Sequence, residues 1–137
     1  MNTQYLDSYL QAWQDHCATP AESARAMSDA AQPQVSYSDI NLPAPFAGHA
    51  GIADMCRLAS GILPGARLEI EQRISSGSTW VIQWQLVGTA AQNQQPFRIE
   101  GTSWGTLGKD GKVESQRDYW NPAHFKDQVG RDLFASA

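Results

Sequence analysis

Nowhere in these 137 residues is there an apolar run close to the roughly 20 that a membrane-crossing helix needs. The opening stretch, MNTQYLDSYLQAWQDH, carries Asp7 and Asp15 and no continuous apolar core. It therefore reads as neither a signal nor a transit peptide, and a soluble, cytoplasmic protein is expected. Cysteine is scarce: Cys17 and Cys56 stand alone without a CxxC spacing, so reduced, buried thiols are expected instead of a disulfide. Basic residues are few, with 10 Lys and Arg against 14 Asp and Glu and a net charge of -4. Such a balance gives no electrostatic footprint for nucleic acid or an anionic membrane. The three histidines, His16, His49 and His124, fall on different elements with no ligand spacing, and neither cysteine joins them, so no metal site is expected. There is no linker, repeat or low-complexity tract, which makes residues 1–137 one domain.

What the sequence does contain is a change of period. Leu6, Leu10, Trp13 and Cys17 recur at helical spacing, with Tyr5 and Tyr9 beside them. Thr19, Pro20 and Glu22 have the pattern of a capping box and predict a second helix through about Ala30, closed by Gln32-Pro33. VSYSD alternates Val35, Tyr37 and Asp39 as a short strand. NLPAPFAG is too proline-rich to be regular. HAGIADMCRLASGI then puts Ile52, Met55, Cys56 and Ala59 on one face of a third helix that Pro64-Gly65 ends.

From Arg67 the period becomes two. RLEIEQRIS, TWVIQWQLVGTA, PFRIEGTSWGTL and KVESQRDYW are four strand-like runs joined by short polar links, which predicts antiparallel neighbours. Helices in the first half and a meander in the second make an α+β domain, with the helices packed on one face of a curved sheet. The last strand poses a chemical question. Val113, Ser115 and Arg117 alternate, yet the strand carries Asp118 into a cluster with Tyr119 and Trp120 before Asn121-Pro122 stops it.

Two helices, a strand ending in Asp39, the irregular INLPAPFAG leading into a helix, and a meander closed by GKVESQRDYWNP resemble the nuclear transport factor 2-like superfamily. Within it, the chain looks like the SnoaL-like and ketosteroid isomerase-like domains. The resemblance spans nearly the whole chain. It implies a cone-shaped, curved antiparallel or mixed sheet, an α+β barrel wrapped by three helices from the N-terminal half and enclosing a pocket. In that shape the face shared by Asp118 and Trp120 looks into the pocket.

The resemblance also implies site residues. In the isomerase-like pattern Asp39 stands where the general base would, Tyr9 where the oxyanion tyrosine would, and Ser103 in the third position. In the epoxide-hydrolase pattern Asp118, Tyr37 and Asp39 match, while Trp84 and Leu86 occupy the positions of the Arg-x-Asp pair. Common to both is a pocket holding Asp39 and Asp118 near Tyr9 and Tyr37, walled by Trp84, Trp120, Ile82, Leu86, Ile99 and Phe46. Two acids in an apolar cavity do not readily both ionise. Asp39 is accordingly read as the base, Asp118 as the acid or water-positioning group, and Tyr9, Tyr37 and Ser103 as hydrogen-bond donors. The implied activity is a cofactor-independent isomerase, cyclase or lyase acting on a small apolar or polycyclic carbonyl ligand.

Other readings of the same residues stay open. Asp39 fits a cap on the turn before the third helix, and Asp118 a rim salt bridge to Arg117, Arg73 or Arg98. Tyr9 fits a core position, as do Trp13 and Trp80. Trp104, directed away from Ser103, fits a homodimer contact on the outer sheet face, and His124 a closure over the cone's mouth. The rival for the whole domain is a non-catalytic dimeric ligand-binding or assembly module.

Overall fold

The computed structural model describes residues 3–134. The first helix, α1 (Gln4–Gln14), buries Leu6, Tyr9, Leu10 and Trp13, the stripe that its spacing dictates. Next comes α2 (Pro20–Asp29), with Pro20 at its first turn. The expected capping box does not form, because the Thr19 hydroxyl donates to the Asp15 carbonyl at 3.2 Å and meets Ser23 Oγ at 3.1 Å, leaving the first-turn amides without it. Gln32-Pro33 does not close α2 either. That helix ends at Ala30, and both residues lie inside β1 (Ala31–Asp39). A proline is tolerated there because the ladder to the last strand is interrupted between Ala31 and Ser36, so the missing N–H leaves no bond unmade.

The remaining elements are β2 (Phe46–Ala47), α3 (Gly48–Ile62), β3 (Arg67–Ser76), β4 (Thr79–Thr89), β5 (Pro96–Leu107), β6 (Val113–Trp120) and α4 (Pro122–Val129). The fourth helix was not anticipated in the sequence. Its start is a capped one all the same: Asn121 Oδ1 accepts from the Ala123 amide, Pro122 occupies the first turn, and Gly130 ends the helix with φ 80°. Phe125 anchors it edge-to-face on Phe97, with centroids 5.2 Å apart.

All six strands form one curved, unclosed mixed sheet in the order β2-β1-β6-β5-β4-β3. The meander from β3 to β6 is antiparallel, and β6 then runs parallel to β1. Glycines let two indoles lie flat on the sheet. Trp84 pairs with Gly101 and Trp80 with Gly105, and a Cβ at 101 would come within 2.2 Å of Trp84 Cη2. A register shift at Thr106/Leu107 changes the phase of β6. Val113 is buried before the shift; after it the inward residues are Gln116, Asp118 and Trp120, and Arg117 is outside. The carboxylate enters because a bulge turns the strand.

Among the described residues no helix is long and apolar enough to cross a membrane. Cys17 and Cys56 are buried free thiols.

Candidate active site

Asp118 is 6% exposed and is held by three donors. Ser103 Oγ donates to Oδ1 at 2.5 Å, Gln116 Nε2 donates to the same oxygen at 2.8 Å, and the Tyr37 hydroxyl donates to Oδ2. Two of these donors are themselves aligned from behind. Trp13 Nε1 donates to the Tyr37 oxygen at 2.7 Å, and Trp84 Nε1 to the Ser103 oxygen at 2.9 Å. Each chain has one direction, indole to hydroxyl to carboxylate, so every polar hydrogen in it serves the charged form of Asp118. Gln116 does so while its own Oε1 stays buried without a partner.

Burial drives the Asp118 pKa upward, Ser103, Tyr37 and Gln116 pull it back, and the charge on Asp39 adds a smaller upward push; the result is about 6. Burial likewise raises the Tyr37 hydroxyl well above its ordinary value, with the Asp118 charge adding to it. Both hydroxyls therefore stay protonated donors.

Asp39 is the register partner of Asp118 across the parallel β1–β6 pair. Its surroundings are different: Oδ1 accepts from the Asn41 amide at 2.8 Å and Asn41 Nδ2 at 3.1 Å, and Oδ2 from Trp120 Nε1 at 2.8 Å. The first of these is the turn-capping contact, and it occurs in a half-buried residue that also lines the cavity.

The cavity is about 90 Å³. Trp13, Tyr37, Trp84, Leu86, Asp118, Asp39, Trp120 and Phe46 all line it. Four of the site residues inferred from the sequence do not line it. Ile82 and Ile99 are fully packed core, and Tyr9 is sealed against Trp80 with its hydroxyl unpartnered. Ser103 acts on Asp118 from behind and does not line the cavity. Asp118 is no rim ion pair: Arg73 reaches Asp7 and Arg98 reaches Glu69. His124 is exposed on α4, and the residues that do reach the cavity from the C-terminal segment are Leu133 and Phe134, the latter tilted over Trp120.

Sequence reasoning also missed Gln116, His16, Cys17 and the role of Trp13. Gln116 carried a usable signal, since it stands two residues before Asp118 and so on the same face of the strand. Among the described residues no group of three His, Cys, Asp or Glu side chains is placed to hold a metal.

A family model described as a SnoaL-like domain matches residues 6–116. The chain belongs to the SnoaL-like domain family. Among curated proteins none matches it. Solved structures similar to this SnoaL-like domain include a hypothetical protein with a ketosteroid isomerase-like fold from Catenulispora acidiphila in complex with trimethylamine. It is 15% identical with a TM-score of 0.80, covering 94% of this chain and 97% of that one. A protein described as a SnoaL-like polyketide cyclase from Shewanella denitrificans is 16% identical with a TM-score of 0.72, covering 93% and 95%. An epoxide hydrolase/cyclase-like enzyme with a role in pyran ring formation in the polyether salinomycin is 12% identical with a TM-score of 0.68, covering 88% and 93%. At such identities the likeness is one of fold, and the chemistry of this SnoaL-like domain has to be argued from its own side chains.

Proposed function

We propose that this SnoaL-like domain transfers protons on a small, largely apolar carbonyl compound, in an isomerisation, cyclisation or dehydration, with Asp118 as the base. The observation that carries the reading is the three-donor cradle around a carboxylate that faces an apolar cavity. An ionised carboxylate has about four lone-pair sites and three are occupied, which leaves one on Oδ2 for the substrate. Near neutral pH a base that titrates at about 6 is ionised yet takes a proton readily.

The same event supplies the electrophile. Once Asp118 is protonated, its claim on the Tyr37 hydrogen weakens, and Tyr37 turns its hydroxyl toward the oxygen of the nascent enolate. Trp13 Nε1 keeps the phenol in place throughout. The roles differ from those implied by resemblance alone: Asp118 replaces Asp39 as base, and Asp39 braces Trp120 and the turn at Asn41. The test needs no natural substrate. Cyclohexanone is a small, largely apolar ketone, and its α-hydrogens are expected to exchange with deuterium oxide faster with protein than with buffer, as followed by proton NMR. No acceleration with cyclohexanone or with its enone would sink the proposal.

The same reading includes a homodimer formed through the outer sheet face. Its support is a row of outward side chains in register across the strands: Ile74, 64% exposed, beside Val81, 37%, beside Trp104, 44%, beside Arg117. Trp104→Glu is expected to convert a dimer to a monomer in sedimentation velocity, and a wild type that sediments as a monomer would refute the dimer.

A further inference from the structure

The cavity contains a titratable side chain that the proposed proton transfer does not use. His16 sits in the turn after α1 and reaches the cavity from the helical layer, whereas Tyr37 and Asp118 reach it from the sheet. The residue is 5% exposed, and its ring stacks on Trp13, with centroids 6.0 Å apart and an interplanar angle of 28°. Nδ1 lies 2.5 Å from the Trp13 carbonyl oxygen. A carbonyl only accepts, so Nδ1 carries the hydrogen and the lone pair of the neutral ring is on Nε2. Burial lowers the pKa of the ring to about 4 in spite of that bond, which keeps it neutral at pH 7.

Nε2 has no partner among the described residues. Nor does it belong with the side-chain atoms sealed there without one, which are Tyr9 OH, Trp80 Nε1 and Gln116 Oε1. It is therefore not sealed, and the residue that carries it lines the cavity. An acceptor in a buried ring is costly while nothing donates to it, and the strong donors of the cavity wall are already committed. Trp13 donates to Tyr37, Tyr37 to Asp118, Trp84 to Ser103 and Trp120 to Asp39. Only the thiol of Cys17 is left, and a thiol is a weak donor. Solvent that reaches an unsealed Nε2 donates to it in the free protein, and a ligand that displaces that solvent has to bring the hydrogen itself.

We infer that Nε2 of His16 is a second acceptor of the site and receives a hydroxyl hydrogen from the bound ligand. The ligand class is then a carbonyl compound that also carries a hydroxyl, phenol or enol. This inference rests on the reading of the cavity as a ligand site, and it separates from the assignment of Asp118.

The test uses phenol and toluene, a hydroxyl and methyl pair of nearly equal shape. Long-range proton–nitrogen spectra of the histidine side chains at pH 7 are expected to show His16 protonated on Nδ1 and bare on Nε2. Phenol should move the Nε2 resonance upfield in wild type and in Asp118→Asn, and toluene should not. His16→Phe, which keeps an aromatic ring against Trp13, should weaken phenol by about tenfold and leave toluene within twofold. A proton on Nε2, or equal losses for the two probes, would overturn the inference. Phenol binding that leaves Nε2 unmoved and depends on Asp118 alone would overturn it while leaving Asp118 in place. Failure of both probes to bind would overturn both readings. The spectra of the wild type decide the matter even if the His16 variant does not fold.

Discussion

Asp118→Asn is expected to lower the rate of cyclohexanone deuterium exchange by about 10³-fold, within the range for losing a positioned base. Affinity for the ketone should stay within about tenfold. The substitution keeps the size of the side chain, but an amide has no proton-accepting oxygen of comparable basicity, and its NH₂ meets donors at Ser103, Gln116 and Tyr37. In the wild type the exchange rate should rise with pH through about 6, where Asp118 ionises, and then level off. The variant should show no such rise. A variant that exchanges at the wild-type rate would remove Asp118 from the mechanism, and Asp39 would be the next base to test.

The second large effect is in stability, and single substitutions reveal it. Burial raises Asp118 from its ordinary 3.8 to about 6. The folded state binds that proton more tightly than the unfolded chain does, so this contribution is complete below about pH 4 and is lost as pH rises through about 6. His16 is lowered from 6.5 to about 4. The unfolded chain binds that proton more tightly, so the contribution of His16 is complete above about pH 6.5 and is lost as pH falls through about 4. Each amounts to about 3 kcal/mol, and they oppose each other over nearly the same interval.

Relative to wild type, Asp118→Asn should gain stability by about 2 kcal/mol as pH rises from 4 to 6.5, and His16→Phe should lose about 2.5 kcal/mol. Urea unfolding at pH 4, 5, 6 and 7 measures both. Variants whose pH dependence parallels that of wild type would show that the two groups are not buried in the folded protein.

The elements were legible where one period ruled. The stripe of α1 and the alternation of β4 and β5 follow from side-chain burial alone, and both appear in the structure, whereas in β3 a register shift between Ile70 and Gln72 puts Ile74 outside. The helix α4 escaped because it has only 8 residues, too few for its period to declare itself; its capping residues were the better signal. The phase of β6 came from the resemblance, which put the face of Asp118 and Trp120 in the pocket; alternation counted from Val113 cannot show the bulge that decides which of Arg117 and Asp118 faces the cavity.

Asp118 and Tyr37 were recognised as polar groups of one pocket. Their direct bond and the indoles behind them were not, because these depend on a parallel pairing of β1 with β6 that no local pattern encodes. Ser103 was read as a donor to the ligand. Pairing Ser103 with Asp118 across β5 and β6 turned it instead toward the carboxylate.

That parallel pairing also bears on how the molecule assembles. Tyr37 and Asp118 are 81 positions apart in the chain, so their contact closes a far longer loop than any hairpin of the meander. Local helices and the β3–β5 hairpins can form before that closure is made, and contacts of such high sequence separation are the slow ones in folding. Until the closure is made, β6 lacks its β1 neighbour, and Asp118 has neither the Tyr37 hydroxyl nor the Trp13 indole behind it. The chemistry of the cavity thus depends on that long closure and is absent from any state in which β1 and β6 have not met.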